Sequence, residues 1–229
     1  MISLASNVYL VSYAAATCGS FVNLVIWSLL EHPEGFHIFS KHGNAHMYNP
    51  HRENWNIERH SDEWKVFIKD NHSHHLYKLA THLNEDKPLI IPSHKIPVFD
   101  EVFGMYPNAK IIFIQYDFKD VEYIKKLFYY KVSIDMFRVT GPYQECDVDV
   151  DVLFEANDDF TKFKNIEIPE IYKDKICIIK FKDILNEDSE FLETLGKFVN
   201  REVTDGIKKM HRTYLDKQPI DISFAKIST

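Results

Sequence analysis

A segment of small residues, Ala14–Ser20, lies between two apolar stretches near the start of the chain. The stretch before it, Val8–Tyr13, is short and rich in β-branched residues, which is typical of a buried strand. The stretch after it, Ser20–Glu31, is apolar nearly all round and predicts a buried helix. Small side chains let a ligand approach the backbone, and the amides and dipole at a helix start attract anions. We therefore predict an anion site, to which the hydroxyls of Thr17 and Ser20 add donors.

The same segment allows other interpretations. It fits a tight turn in which Ser20 only caps the helix. It is not a Walker A loop, because Gly19 is followed by Ser20 and no Lys, and one glycine is too few for a dinucleotide fingerprint. A helix start can lower the pKa of a thiol, so Cys18 is a candidate nucleophile. No Arg follows Cys18 to hold a phosphate, however, as a cysteine phosphatase requires.

A histidine follows the end of a second predicted strand. The apolar run Leu89–Ile91 leads into Ser93 and then His94. Because ligands bind at the carboxyl ends of strands in open α/β sheets, we expect His94 to point into the crevice beside the Ala14–Ser20 segment. Imidazole changes its protonation state near neutral pH, so His94 is the candidate general base.

The other histidines raise the question of a metal site, because most of them crowd into the first half of the chain. A structural metal site needs three or four ligands that converge. His42 and His46 have helical spacing, but Gly43 and Asn44 between them favour a loop. We therefore predict no metal, and histidines that are solvated or that cap helices.

Composition excludes several classes of protein. The chain has 229 residues, of which 45% are hydrophobic, enough for a full core. A net charge of −7 without a basic stripe argues against a nucleic-acid partner. No apolar run approaches the roughly 18–20 residues that span a bilayer, and no basic segment precedes the apolar N-terminus, so we predict neither a membrane span nor a signal peptide. Three widely spaced cysteines favour a reducing, cytoplasmic compartment.

Lysine outnumbers arginine by 22 to 5, a bias towards AT-rich codons. Many viruses and some bacteria have such genomes. The expected location is therefore the cytoplasm, meaning the host cytoplasm or the virion if the chain is viral.

Strands and helices alternate along the chain. Two further apolar runs predict strands at Lys110–Tyr116 and Ile176–Phe181. Further helical patterns cover Asp62–Leu83, Lys119–Lys131, Ser189–Val199 and Thr204–Leu215. The alternation predicts an α/β fold, with a mainly parallel sheet of about four or five strands and helices on both faces in a three-layer sandwich. Because no linker or repeat divides the chain, we predict a single domain over residues 1–229.

The order of these motifs resembles that of a cytosolic-type sulfotransferase. The segment A-T-C-G-S-F, Ala16–Phe21, stands where that family has its phosphosulfate loop P-K/R-S-G-T-T, and P-S-H, Pro92–His94, stands where it has K-T-H. The segment Y-P-N-A-K-I-I-F-I-Q-Y-D-F-K-D-V, Tyr106–Val121, is similar to the family's F-P-x-A-K-I-I-Y-V-x-R-N-P-K-D-V. A strand, Y-E-D-L and an acidic helical stretch follow in the family, where this chain has Ile178–Val199.

The resemblance implies a P-loop-like sandwich that transfers a sulfuryl group from 3′-phosphoadenosine 5′-phosphosulfate (PAPS) to a hydroxyl or amine of a small molecule or glycan. It implies that the 5′-phosphate end binds at Thr17, Cys18, Gly19, Ser20 and Phe21, and that His94 takes the proton of the acceptor. A transferase would shape its acceptor pocket after the first helix, in Ser40–Asn49, so His46 is a candidate for substrate contact.

The chain departs from the family where cations and polar anchors hold the cofactor. The loop cation falls at Thr17, the 3′-phosphate Arg at Tyr116, its Ser at Ile124, and the Lys before T-H at Pro92. A C-terminal R-K-G loop is also missing. The alternative is therefore a non-catalytic structural or accessory protein, for instance virion-associated, which keeps the fold and acts in a homo-oligomer or a viral assembly. A kinase-like transferase is a weaker alternative, because the loop has no Lys.

Overall fold

The computed structural model describes residues 8–14, 17–31, 88–93, 96–127 and 162–218. Within these ranges one sheet contains four strands, β1 to β4 in chain order, which are Val8–Tyr13, Leu89–Ser93, Lys110–Gln115 and Ile176–Lys180. The strands pair in parallel, in the order β2-β1-β3-β4. The predicted α/β fold with a mainly parallel sheet is confirmed. That one domain spans residues 1–229 stays a prediction.

Helices α1 to α6, numbered in chain order, are Gly19–Glu31, Phe99–Met105, residues 121–127, Phe181–Ile184, Phe191–Val199 and Asp205–Asp216, and residue 162 is also α-helical. Short 3₁₀ helices cover Phe118–Asp120 and Glu170–Lys175. The predicted first, fourth and last helices are confirmed to within two residues. Helix α2 was not predicted, and the predicted helix Asp62–Leu83 lies outside the described residues.

The central strands need cover on both faces of the sheet, because all of β1 and the four middle residues of β3 are buried. On the face to which Lys110 points, its ammonium group donates a hydrogen bond to the carbonyl of Phe198 at the end of α5. On the other face, the Phe113 ring meets the edge of the Phe99 ring of α2, with centroids 6.0 Å apart. Helices therefore cover both faces, as predicted.

Helix α1 packs between the sheet and helices α5 and α6. The ring of Phe21 lies against Tyr214 and His211 of α6 and against Phe191 of α5. About two helical turns after Phe21, the hydroxyl of Ser28 contacts the sulfur of Met210 at 3.5 Å. These contacts fix the start of α1 relative to the sheet, and that start is where the sequence predicts an anion site.

Candidate functional site

The turn between β1 and α1 lies where the strand order reverses. From β1 the chain passes to β2 on one side, and from β2 it crosses to β3 on the other side of β1. In open parallel sheets, ligands bind at the carboxyl ends of the two strands that flank such a reversal. Those ends are Tyr13 on β1 and Gln115 on β3. The candidate site is therefore the turn after Tyr13 and the segment after Gln115.

Thr17 closes the turn by bonding back to Ala14. Both its amide and its hydroxyl donate to the Ala14 carbonyl, at 3.2 and 2.6 Å. The Thr17 side chain is fully buried. The hydroxyl proton that we expected to meet an anion is therefore used inside the turn, although binding at Thr17 stays a prediction.

Cys18 is the residue from which α1 begins. Its carbonyl accepts hydrogen bonds from the amides of Phe21 and Val22, at 2.9 and 3.1 Å. Its φ of 64° lies in the left-handed region that side chains other than Gly rarely adopt, so the chain turns sharply into the helix here. The interpretation of Ser20 as the helix cap is therefore wrong, because the left-handed Cys18 occupies the cap position two residues earlier and Ser20 falls in the first turn of the helix.

The thiol of Cys18 points into the core rather than into the crevice. It is buried and hydrogen-bonded to the hydroxyl of Tyr214 on α6. Burial, followed by the Cys18 contact, raises the pKa of Tyr214 well above its usual value. The Cys18 backbone lies at the helix start, while its side chain joins α1 to α6.

Gly19 lies directly beneath the ring of Tyr13. A β-carbon at position 19 would overlap the Tyr13 ring in this conformation, so an alanine here requires the ring to shift. The Tyr13 hydroxyl is hydrogen-bonded to the side chain of Ser20, and burial raises the pKa of Tyr13 while this bond opposes the rise. Among the hydrogen bonds of the described residues, none uses the amide of Gly19. Within the described residues, which leave out Ala15 and Ala16, the Gly19 amide therefore has no acceptor, and the Tyr13 ring covers it.

Phe21 contributes its side chain to the core and its amide to the turn. Its ring is 1% exposed and stacks on Tyr214. Because its amide already donates to Cys18, Phe21 brings no further donor to the crevice in this conformation.

The end of β2 is level with the end of β1. Ser93 pairs with Ser12, and His94 is the next residue in the sequence. Both serines are buried. His94 itself, and the predicted substrate contact His46, lie outside the described residues, so their roles stay predictions.

The positions that the resemblance assigns to the 3′-phosphate are in the core. Tyr116 is 2% exposed and Ile124 is fully buried. Burial raises the pKa of Tyr116 to about 12, so its hydroxyl is neutral at physiological pH. Neither side chain replaces the missing Arg and Ser with another exposed polar group.

Carboxylates, which the sequence analysis did not single out, follow the ends of β3 and β4. Asp117 and Asp120 form a reciprocal cap, in which the Asp120 carboxylate accepts from the Asp117 amide at 2.8 Å. The Asp-x-x-Asp spacing was the available signal. Burial raises the pKa of Asp120, and Asp117 and Asp183 raise it further, while the Asp117 hydrogen bond and Lys182 oppose the rise. This part of the crevice edge therefore disfavours an additional anion.

Within the described residues, no helix is both long and apolar enough to cross a membrane. The same part of the chain has no cluster of three or more His, Cys, Asp or Glu side chains that would hold a metal ion.

No family model matches the sequence, and no curated protein matches it. Among solved structures, the chain is similar to the sulfotransferase domain from the curacin biosynthetic pathway, with 15% sequence identity and a TM-score of 0.41. The match covers 97% of this chain and 83% of that domain. It is also similar to retinol dehydratase in a complex with retinol and PAP, with 11% identity, coverage of 93% and 64%, and a TM-score of 0.36. The chain spans less than two thirds of the second protein's length. The α/β fold of this chain is established by its own strand order and register.

Proposed function

We propose that the protein transfers a sulfuryl group from PAPS to a hydroxyl or amine of a small molecule or glycan, and that its cofactor site is degenerate. The observation that carries the proposal is the position of the β1–α1 turn at the reversal of strand order, beside the strand that leads into His94. The order of the four motifs along the sequence supports the same reaction.

The two ends of this donor differ in how well they fit the residues present. The 5′ end fits the first turn of α1 once the Tyr13 ring is displaced, because the Gly19 amide has no other acceptor among the described residues and the helix dipole favours an anion. The 3′-phosphate does not fit, because Tyr116 and Ile124 are buried and Asp117 lies next to Tyr116. We therefore assign no residue to the 3′-phosphate.

Two residues of this chain, Gly19 and His94, take part in the proposed reaction. The bound donor supplies the activated sulfuryl group. The Gly19 amide holds the 5′-phosphate and stabilises the charge that develops on it as the group leaves. His94 accepts the proton of the attacking hydroxyl or amine, because imidazole is the side chain that most often serves as a general base near neutral pH.

The proposal is tested by isothermal titration of the full chain with adenosine 3′,5′-bisphosphate (PAP) and by a transfer assay with radiolabelled PAPS. We expect nucleotide binding in the wild type and in His94→Gln, and transfer to acceptor only in the wild type. Binding retained without transfer isolates the role of His94. The absence of both heat and a thermal shift at millimolar nucleotide would contradict the proposal.

A second candidate function is a non-catalytic protein that keeps the fold for assembly. The observation that favours it is the state of the turn, in which the Thr17 hydroxyl bonds to Ala14 and the Tyr13 ring covers Gly19. For this candidate we expect a stoichiometric complex by size exclusion with light scattering. A monomer that binds nucleotide would contradict it.

A further inference from the structure

The ring of Tyr13 packs directly against the backbone of Gly19. Tyr13 is the last residue of β1 and Gly19 is the first of α1. The ring occupies the place that a β-carbon at position 19 would take. The glycine that the sequence suggested as an approach for a ligand is thus already in contact with an aromatic ring of the protein itself.

A second contact, at its hydroxyl, holds the Tyr13 ring over the first turn of α1. Its hydroxyl is hydrogen-bonded to the side chain of Ser20, one residue after Gly19. Tyr13 is 4% exposed and Gly19 is buried. A phosphate that approached the Gly19 amide from the Tyr13 side would meet the ring, so docking there requires the ring to move.

We propose that Tyr13 is a movable cover that competes with the anionic ligand for the first turn of α1. This inference rests on the proposed function, because it concerns access to the same turn. Uncovering the turn requires rotation of the ring about the Cα–Cβ bond of Tyr13. The closed form then lowers the apparent affinity by the fraction of molecules in which the turn is open.

The two possible roles of Tyr13, a cover or a ligand-binding side chain, predict opposite changes in binding affinity when the side chain is truncated. If Tyr13 covers the turn, removing the ring increases the open fraction and tightens binding. If the Tyr13 hydroxyl instead donated to the bound phosphate, removing the ring or the hydroxyl would weaken binding. Tyr13→Phe and Tyr13→Ala therefore decide between the two roles.

The experiment is a calorimetric titration of the full chain with PAP, for the wild type, Tyr13→Phe, Tyr13→Ala and the control Tyr9→Phe. Tyr9 lies on the same strand and the same face, four residues earlier, and is also buried. We expect Tyr13→Ala to bind at least about tenfold more tightly. We expect Tyr13→Phe to bind about two- to tenfold more tightly, the factor that one ordinary hydrogen bond gives to an equilibrium. Tyr9→Phe should match the wild type.

Unchanged or weaker binding in both Tyr13 variants, with binding intact in the wild type, overturns the cover and leaves the proposed function standing. If neither the wild type nor the Tyr13 variants bind, the cover and the proposed function both fail. Thermal unfolding of each variant checks that it is folded, and Tyr13→Phe decides the question alone if Tyr13→Ala does not fold.

Discussion

The ring of Tyr214 lies parallel to the ring of Phe21, with centroids 3.7 Å apart and 3° between the planes. This stack joins the last described helix, α6, to the first turn of α1, nearly two hundred residues earlier in the sequence. The hydroxyl of Tyr214 bonds to Cys18 at the residue before α1. The conformation of the turn thus depends on a helix from the other end of the described chain.

Substitutions at Tyr214 should separate the stack from the hydrogen bond. We expect Tyr214→Phe to lose about 1–2 kcal/mol of unfolding free energy, because it removes the hydrogen bonds to Cys18 and Gln218 and keeps the ring. We expect Tyr214→Ala to lose about 3–5 kcal/mol, as for other buried aromatic truncations. Urea denaturation followed by tryptophan fluorescence measures both losses, and equal losses would show that the stack contributes little.

A double-mutant cycle should reveal the contact between Tyr13 and Gly19. Gly19→Ala alone should cost about 1–3 kcal/mol, because its β-carbon overlaps the Tyr13 ring. In the Tyr13→Ala background the same change should cost little, which gives a coupling of about 0.5–3 kcal/mol. Additive losses in denaturant titrations would mean that the two residues do not touch.

The buried imidazole of His211 should make stability depend on pH. Its Nε2 donates to the Ile184 carbonyl at 2.7 Å, and the ring packs against Phe21 and Phe191. Burial lowers the pKa of His211, an effect that the Ile184 bond and the nearby Glu187 and Glu193 oppose.

The sign follows from comparing the two states of the chain. The unfolded chain protonates this histidine at about pH 6.5, and the folded protein only at lower pH. The free energy of unfolding therefore falls as the pH drops below about 6.5 and levels off below the folded pKa, with a slope of at most about 1.4 kcal/mol per pH unit. Urea titrations between pH 7.5 and 5 should show a shallower decline in His211→Gln. Parallel curves would contradict this account.

The missing cationic anchors should remove selectivity for the 3′-phosphate. Because Tyr116 and Ile124 are buried and carboxylates follow β3, adenosine 5′-phosphate should bind about as tightly as PAP. Calorimetry at one fixed salt concentration compares the two ligands. A preference for PAP of about tenfold or more, equivalent to about 1.4 kcal/mol, would reveal a cation that these positions do not supply.

The strands were predictable because they read as short, nearly continuous apolar runs. β1 spans Val8–Tyr13 as expected, since burial on both faces makes all but one of its residues apolar or aromatic. Helix α2, Phe99–Met105, was missed because seven residues give too few turns for a clear period. Its place in the fold depends on the edge contact between Phe99 and Phe113, which no local pattern reveals.

At the candidate site, the sequence located the turn but not its internal contacts. The two apolar stretches predicted the strand and the helix, and the small residues between them predicted the turn, all in the right place. The left-handed conformation of Cys18 has no signal in the local sequence, and the hydrogen bond between the Tyr214 hydroxyl and Cys18 depends on α6, which is distant in sequence. The same holds for the cover, because the ring of Tyr13 reaches Gly19 only once the turn has formed.

The account is tested most directly by NMR of protein labelled with [¹⁵N]glycine, whose seven glycines give a simple amide spectrum. On addition of PAP, we predict a saturable shift of the Gly19 amide signal, assigned through Gly19→Ala. The signals of Gly104, which is exposed on α2, and Gly196 on α5 should stay in place. A Gly19 signal that remains fixed at millimolar nucleotide would contradict the account.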